Sequence, residues 1–204
     1  MSEAASATSS TRERILVAAL AAFAERGVEA TSLDSVAAEV GVRKQTLLYW
    51  FPSKEQLLFA VIDHAVAELG QELTDAARAA GADERAQIVA VVDTTFRLGT
   101  ARPELLAVVR EVTRLGPPAS THLGAAAAPL VDAAARVLVP DDGTSRRDGD
   151  RIRRDLLAAG ARVVGMATEA QVRADLGLPA DLAWLRSRRR ALIESLTRDL
   201  AVDP

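Results

Sequence analysis

The sequence predicts an all-α chain of about nine helices, with a small N-terminal part and a larger C-terminal one. Three observations carry this. Strong helix formers dominate: 41 of the 204 residues are alanine, and 23 of the 25 basic residues are arginine. Apolar residues recur at the i, i+3, i+4, i+7 spacing of amphipathic helices, with no convincing strand and no internal repeat. Capping residues and Gly or Pro stops punctuate these segments at helical lengths. The chain is long enough to bury a sizeable core.

Ser10-Thr11-Arg12-Glu13 fits a capping box. The helix it opens carries Ile15, Leu16, Ala19, Leu20 and Phe23 on one face and stops at Gly27. Thr31 or Ser32 caps a short second helix with Leu33, Val36, Ala37 and Val40 on one side. Gly41 supplies a tight turn, and a third helix runs from about Arg43 to Phe51, where Pro52 ends it. Ser53-x-x-Gln56 caps a long fourth helix with the stripe Leu57, Leu58, Val61, Ile62, Ala65, Leu69 and Leu73. A fifth helix spans about Asp83 to Leu98. A sixth runs from Pro103 to Gly116-Pro117-Pro118, with proline at its start and glycine past its end. A seventh covers about Ser120 to Leu138 with Pro129 inside it. The polar run from Pro140 to Asp150 reads as a loop. Two final helices follow, about Arg151 to Asp175 and Asp181 to Val202, separated by Gly177 and Pro179. The expected organisation is a disordered tail (1–10), a helix-turn-helix domain (11–58) and a helical domain (59–204).

Composition excludes several classes. There is no cysteine for disulfides or thiolate metal sites, and no asparagine for N-glycosylation. MSEAASATSS has neither the basic nor the apolar region of a signal peptide, and no apolar run approaches the roughly 20 residues of a spanning helix, so a cytoplasmic protein without membrane partners is expected. The groups an enzyme would need are scarce. His64 and His122 lie in different segments without a zinc-binding pair, and Gly160 to Gly165 lacks the lysine of a phosphate loop. Neither catalysis nor a metal or other cofactor is expected. The formal net charge of −3 by itself argues against a nucleic-acid partner.

Charge distribution says otherwise. Two short helices joined by a glycine turn describe a helix-turn-helix. At 100° per residue, Leu47, Leu48 and Phe51 share one side of the third helix, Gln45, Thr46 and Tyr49 the other, with Trp50 at the margin. Residues 41–54 contain three basic residues and no acidic one, and include both lysines of the protein, Lys44 and Lys54. A buried face opposite a hydrogen-bonding face suits a helix that enters the major groove.

The run from Arg14 to Leu58 resembles the N-terminal domain of the TetR family of transcriptional repressors. The matching residues are Ile15-Leu16, Ala18-Ala19, Phe23, Gly27, Thr31-Ser32, Val36-Ala37, Gly41-Val42, Thr46-Leu47, Phe51 and Ser53-Lys54-Glu55. Two positions depart: members often have Tyr in place of Leu48, and His or Tyr in place of Trp50. The resemblance implies phosphate contacts by Thr31 and Ser32 at a helix N-terminus, by Lys54 and by Tyr49, with Trp50 donating its indole N–H or packing on a sugar. It implies base contacts by Arg43, Lys44, Gln45 and Thr46; a solvated first turn is the plainer reading of Arg43 and Lys44. The implied partners are a pseudo-palindromic double-stranded operator, a second copy of the chain and a small-molecule effector. A helical interaction module that does not bind DNA is the alternative.

For the homodimer, Ile152, Leu156, Gly160 and Val163 share a broad face of the eighth helix, and Leu185, Leu192 and Leu196 a narrow stripe of the ninth. The alternative is that both faces cover the chain's own core. Arg189 falls within the stripe and needs a carboxylate, with Glu169 and Asp175 as candidates. Only Phe96 and Trp184 are aromatic after Phe59, so an effector pocket there is aliphatic and suits an apolar or acyl-like ligand. Phe96, Val109, Val112, His122 and Met166 are its candidate lining, each alternatively plain core. Arg97 and Arg110 read as an anion site or, more simply, as surface salt bridges.

Overall fold

A computed structural model describes residues 10–138 and 146–199. Its helices are α1 (Thr11–Arg26), α2 (Leu33–Val40), α3 (Lys44–Trp50), α4 (Lys54–Ala79), α5 (Glu84–Ala101), α6 (Pro103–Leu115), α7 (Ala119–Leu138), α8 (Arg146–Asp175) and α9 (Leu182–Asp199), with no strand among the described residues. The expected tail, apart from Ser10, and the first part of the expected 140–150 loop lie outside the described residues. The last five residues of that loop, from Arg146, are already helical. Only Gly149 among them resists helix, at a cost of about 1 kcal/mol.

The chain divides into two compact units. Unit 1 holds residues up to 65 together with 107–123, and is therefore broader than a domain ending at residue 58. Ser10 Oγ accepts the Glu13 N–H at the start of α1, and Gly27 ends the helix with φ +79°. Ser32 and Ser35 form a reciprocal capping box at the start of α2, and Gly41 closes that helix in the left-handed conformation that glycine adopts without penalty. Ser53 Oγ caps α4 by accepting the Gln56 N–H. The shared interior contains Ile15, Leu16, Leu20, Phe23, Val36, Leu47, Phe51, Leu57, Val61 and Ile62, joined in sequence terms by the distant Val108, Val112 and Ala119.

Between α1 and α2, the residues from Gly27 to Thr31 are held by side chains. Thr31, 1% exposed, has its hydroxyl 2.8 Å from the Gly27 carbonyl and 3.2 Å from that of Ala22. From α6, Glu111 accepts the Val28 N–H at 2.9 Å, and Arg114 bridges Glu111 and Glu29 at 2.8–3.1 Å. Glu111 is 13% exposed, and the Arg114 guanidinium holds its carboxyl below the ordinary glutamate range against the opposing effect of burial. Gly27 is required here twice over. Its φ is positive, and a Cβ would stand 3.1 Å from Glu111 Oε1.

Unit 2 holds residues 66–106 and those from 124 onward. Helix α5, capped by Asp83, packs against α8 and α9. Their core is Ile88, Val92, Ala135, Ala159, Leu192 and Leu196, extended by Phe96, Leu156, Val163, Met166 and Ile193.

Two outcomes test the packing of unit 1. Leu47→Ala, which truncates a fully buried side chain, is expected to cost about 2–5 kcal/mol in denaturant unfolding. Glu111→Gln is expected to lower stability at neutral pH. Because the folded carboxyl titrates below its unfolded value, the wild-type advantage persists down to about pH 4.3 and then fades as pH falls further. Parallel melts between about pH 7 and about pH 3 measure the difference; an advantage that grows with acidity contradicts the assignment.

Candidate nucleic-acid interface

Helix α3 is built with two faces. Leu47 and Phe51 are buried and Leu48 half-buried, which fixes the helix against α1 and α2. Its opposite side presents Lys44, Gln45, Tyr49 and Trp50 to solvent, with Thr46 half-buried. Tyr49 is 78% exposed and meets Trp50 edge-on, with ring centroids 5.3 Å apart. Arg43 occupies the N-cap position without a side-chain capping bond, so its guanidinium is left to point outward. An exposed pair of aromatic rings beside amide and guanidinium donors offers both hydrogen bonds and flat apolar surface, a combination suited to base edges and sugars. Ser32 is exposed at the start of α2, as a contact at that helix N-terminus requires.

Two residues expected at phosphates have other tasks. Thr31 is buried, with its hydroxyl directed at carbonyls of its own unit. Lys54 directs its ammonium at the carbonyls of Val28, Glu29 and Thr31, at 2.9, 3.1 and 3.1 Å. The loop turns three acceptors toward one site, and three ammonium donors satisfy them. Lys44 also has a protein partner, Asp34 Oδ2 at 2.7 Å. The 41–54 window is free of acids in sequence but not in space. Glu111, which holds the loop leading into α2, escaped the sequence reading because nothing local ties it to a residue 83 positions away.

The five residues expected to line a pocket are divided between the units. Val112 is buried and Val109 half-buried in unit 1, where His122 stacks on Phe59 at 4.3 Å and its Nε2 lies 2.8 Å from Asp63 Oδ1. Phe96 and Met166 meet in the core cluster of unit 2. A cavity of about 140 Å³ in unit 2 is lined by Glu68, Leu69, Gln71, Glu72, Leu98, Arg102 and Leu105, none of them among the five. Its lining mixes charged and amide side chains with three leucines. Arg102 bonds Glu68 and Glu104 there, and Arg97 pairs with Glu72 at 2.8 Å, so Arg97 is in a salt bridge.

The residues expected at a dimer interface are largely spent within the chain. Leu192 and Leu196 are buried in the core of unit 2, with Leu156 and Val163 against them. Leu185 is half-buried, Gly160 is exposed, and the Ile152 side chain lies outside the described residues. Arg189 does find a carboxylate, but it is Asp93 of α5, gripped by two nitrogens. Glu169 bonds Arg188 and Trp184 instead. Among the described residues no helix is long and apolar enough to cross a membrane, and no cluster of three His, Asp or Glu could hold a metal ion.

Residues 15–61 match the family model of bacterial regulatory proteins, tetR family. The HTH-type transcriptional regulator RutR of Escherichia coli (strain K12) is 46% identical over 56 residues, 28% of this chain and 26% of RutR. The HTH-type transcriptional activator FasR of Mycolicibacterium smegmatis is 34% identical over 85 residues, 42% of this chain and 38% of FasR. In these matches the chain spans well under half the length of either relative. The fold likeness reaches much further. The fatty acid degradation regulator FadR from Bacillus halodurans superposes with a TM-score of 0.73 over 94% of this chain and 97% of its own, at 16% identity. Over residues 15–61 the chain is thus similar in sequence to the tetR family of bacterial regulatory proteins, and beyond them the likeness is one of fold.

Proposed function

We propose that the protein is a DNA-binding transcriptional regulator, a repressor that binds a pseudo-palindromic operator as a homodimer and is released by a small apolar or acyl-like effector. The observation that carries this is α3, locked into the core by Leu47 and Phe51 while Arg43, Lys44, Gln45, Tyr49 and Trp50 face outward within the family-matched segment. Gln45 suits adenine N6/N7 and Arg43 guanine O6/N7, each pairing contributing about 1–3 kcal/mol of discrimination. Ser32, at the α2 N-terminus, and Tyr49 would meet phosphates. Lys54 acts indirectly, by fixing the loop that sets the start of α2.

Support for the dimer comes from the other side of α8. Leu157, Val172 and Leu176 are exposed, and together with Ala161 and Val164 they follow helical spacing along one face. Such a face suits pairing of two copies, placing two α3 helices about one DNA turn apart. Repression and release by an effector follow the family resemblance. The aliphatic interior of unit 2 supports an apolar ligand.

A gel shift at low salt with DNA from upstream of the protein's own gene tests this reading. A shift competed by the same fragment but not by random DNA is expected; none would favour an interaction module that does not bind DNA. Gln45→Ala and Arg43→Ala are each expected to relax sequence preference by about tenfold or more at one base pair. Lys54→Ala is expected to lower the melting temperature while leaving the salt slope unchanged, because its ammonium is committed to carbonyls. Leu157→Glu with Val172→Glu is expected to shift sedimentation from dimer to monomer without unfolding the chain.

A further inference from the structure

Residues 10–60 contain six basic side chains, and five are committed within the protein. Arg12 lies over the Phe51 ring, 5.5 Å from its centroid, and Arg14 donates to the Val40 carbonyl at 2.6 Å. Arg26 pairs with Glu25 at 2.9 Å and approaches Glu39 at 3.7 Å. Lys54 serves the loop carbonyls, and Lys44 Nζ sits 2.7 Å from Asp34 Oδ2. Of the six, the Arg43 side chain alone has no ion pair, hydrogen bond or ring contact among the described residues.

The Asp34–Lys44 pair differs in kind from the others. Asp34 stands in the first turn of α2, where the helix N-terminus favours a carboxylate. That accounts for an acid at this position but not for where it reaches. Its side chain crosses to the first residue of α3, so the acid from one helix meets the leading cation of the next. Both partners are exposed, in the region where the resemblance places the DNA backbone and base edges.

We infer that Asp34 is a specificity-determining residue: its carboxylate holds the Lys44 ammonium in competition with DNA phosphate and suppresses sequence-independent binding. The inference rests on the DNA-binding reading above. Sequence-independent affinity comes from cations that displace counterions from phosphates. A phosphate reaching Lys44 must displace Asp34 and then lie beside the released carboxylate. Hydrogen bonds from Gln45 and Thr46 to base edges carry no such cost. Asp34 therefore lowers the background on random DNA more than it lowers binding at a cognate site, and widens the ratio between them.

Fluorescence anisotropy with a labelled 30-base-pair duplex of arbitrary sequence, titrated over salt, tests this on the full-length protein. Asp34→Asn is expected to tighten binding about 3- to 10-fold at low salt and to steepen the log–log salt slope by about one per head. In a Lys44→Ala background the same substitution is expected to change affinity less than about twofold. Unchanged or weaker binding by Asp34→Asn overturns the inference. So does an equal gain in the Lys44→Ala background, which would mean that Asp34 repels DNA without acting through Lys44. Asp34→Ser, which keeps a capping-competent residue, repeats the comparison should thermal melts show that the asparagine variant is destabilised. If neither wild type nor any variant binds a duplex at low salt, the DNA-binding reading itself fails. If wild type binds and Asp34→Asn gains nothing, only this inference does.

Discussion

The five residues from Gly27 to Thr31 are the constraint on which unit 1 depends. A loop inside a packed unit exposes peptide groups that must find partners, since an unsatisfied buried one costs about as much as a lost hydrogen bond or more. Here the partners are side chains. Thr31 answers the carbonyls of Gly27 and Ala22, Lys54 those of Val28, Glu29 and Thr31, and Glu111 the amide of Val28. Contributions from α4 and α6 thereby converge on one short turn. The start of α2 inherits its position from that turn, and the outward face of α3 inherits its own from α2.

The elements were legible in the letters because their signals are local. Capping serines, glycine stops and the apolar stripe of each helix depend on neighbours within a turn or two, so α1 to α4 fall within a residue or two of expectation. The two faces of α3 were readable for the same reason, with Leu47 inward and Gln45 and Tyr49 outward. What escaped depends on distance along the chain. A threonine before a helix and a lysine after a turn look the same whether they face a phosphate or a carbonyl. Only the folded loop shows that Thr31 and Lys54 face carbonyls. Arg189 showed the same limit from the other side. Its need for a carboxylate followed from its place in an apolar stripe, but its partner, Asp93, lies 96 positions away, whereas the candidates considered were near it in sequence.

The ninth helix shows how a stripe can be read correctly without its neighbour being named. Leu192 and Leu196 are apolar because they are buried, and periodicity cannot say against what. In the structure they meet Ile88 and Val92 of α5, and the exposed apolar residues lie on the opposite side of α8, at Leu157 and Val172, and at Leu176 just past its end. The expectation of a pocket met a similar division. Val112 of α6 and His122 of α7 belong to unit 1, whereas Phe96 of α5 and Met166 of α8 belong to unit 2; α6 and α7 each contribute residues to both units.

That sharing bears on how the protein is made. Unit 1 is discontinuous in sequence, so a ribosome that has released residues 1–65 has delivered the turn between α1 and α2 without its Glu111 or Arg114, and the core without Val112 or Ala119. The packing of unit 1 is complete only once residue 123 has emerged. Synthesis adds about 5–20 residues each second, so the nascent unit waits several seconds with its core incomplete. The outward face of α3 thus reaches its final support only after residue 123 has been made, which ties its maturation to the length of the nascent chain.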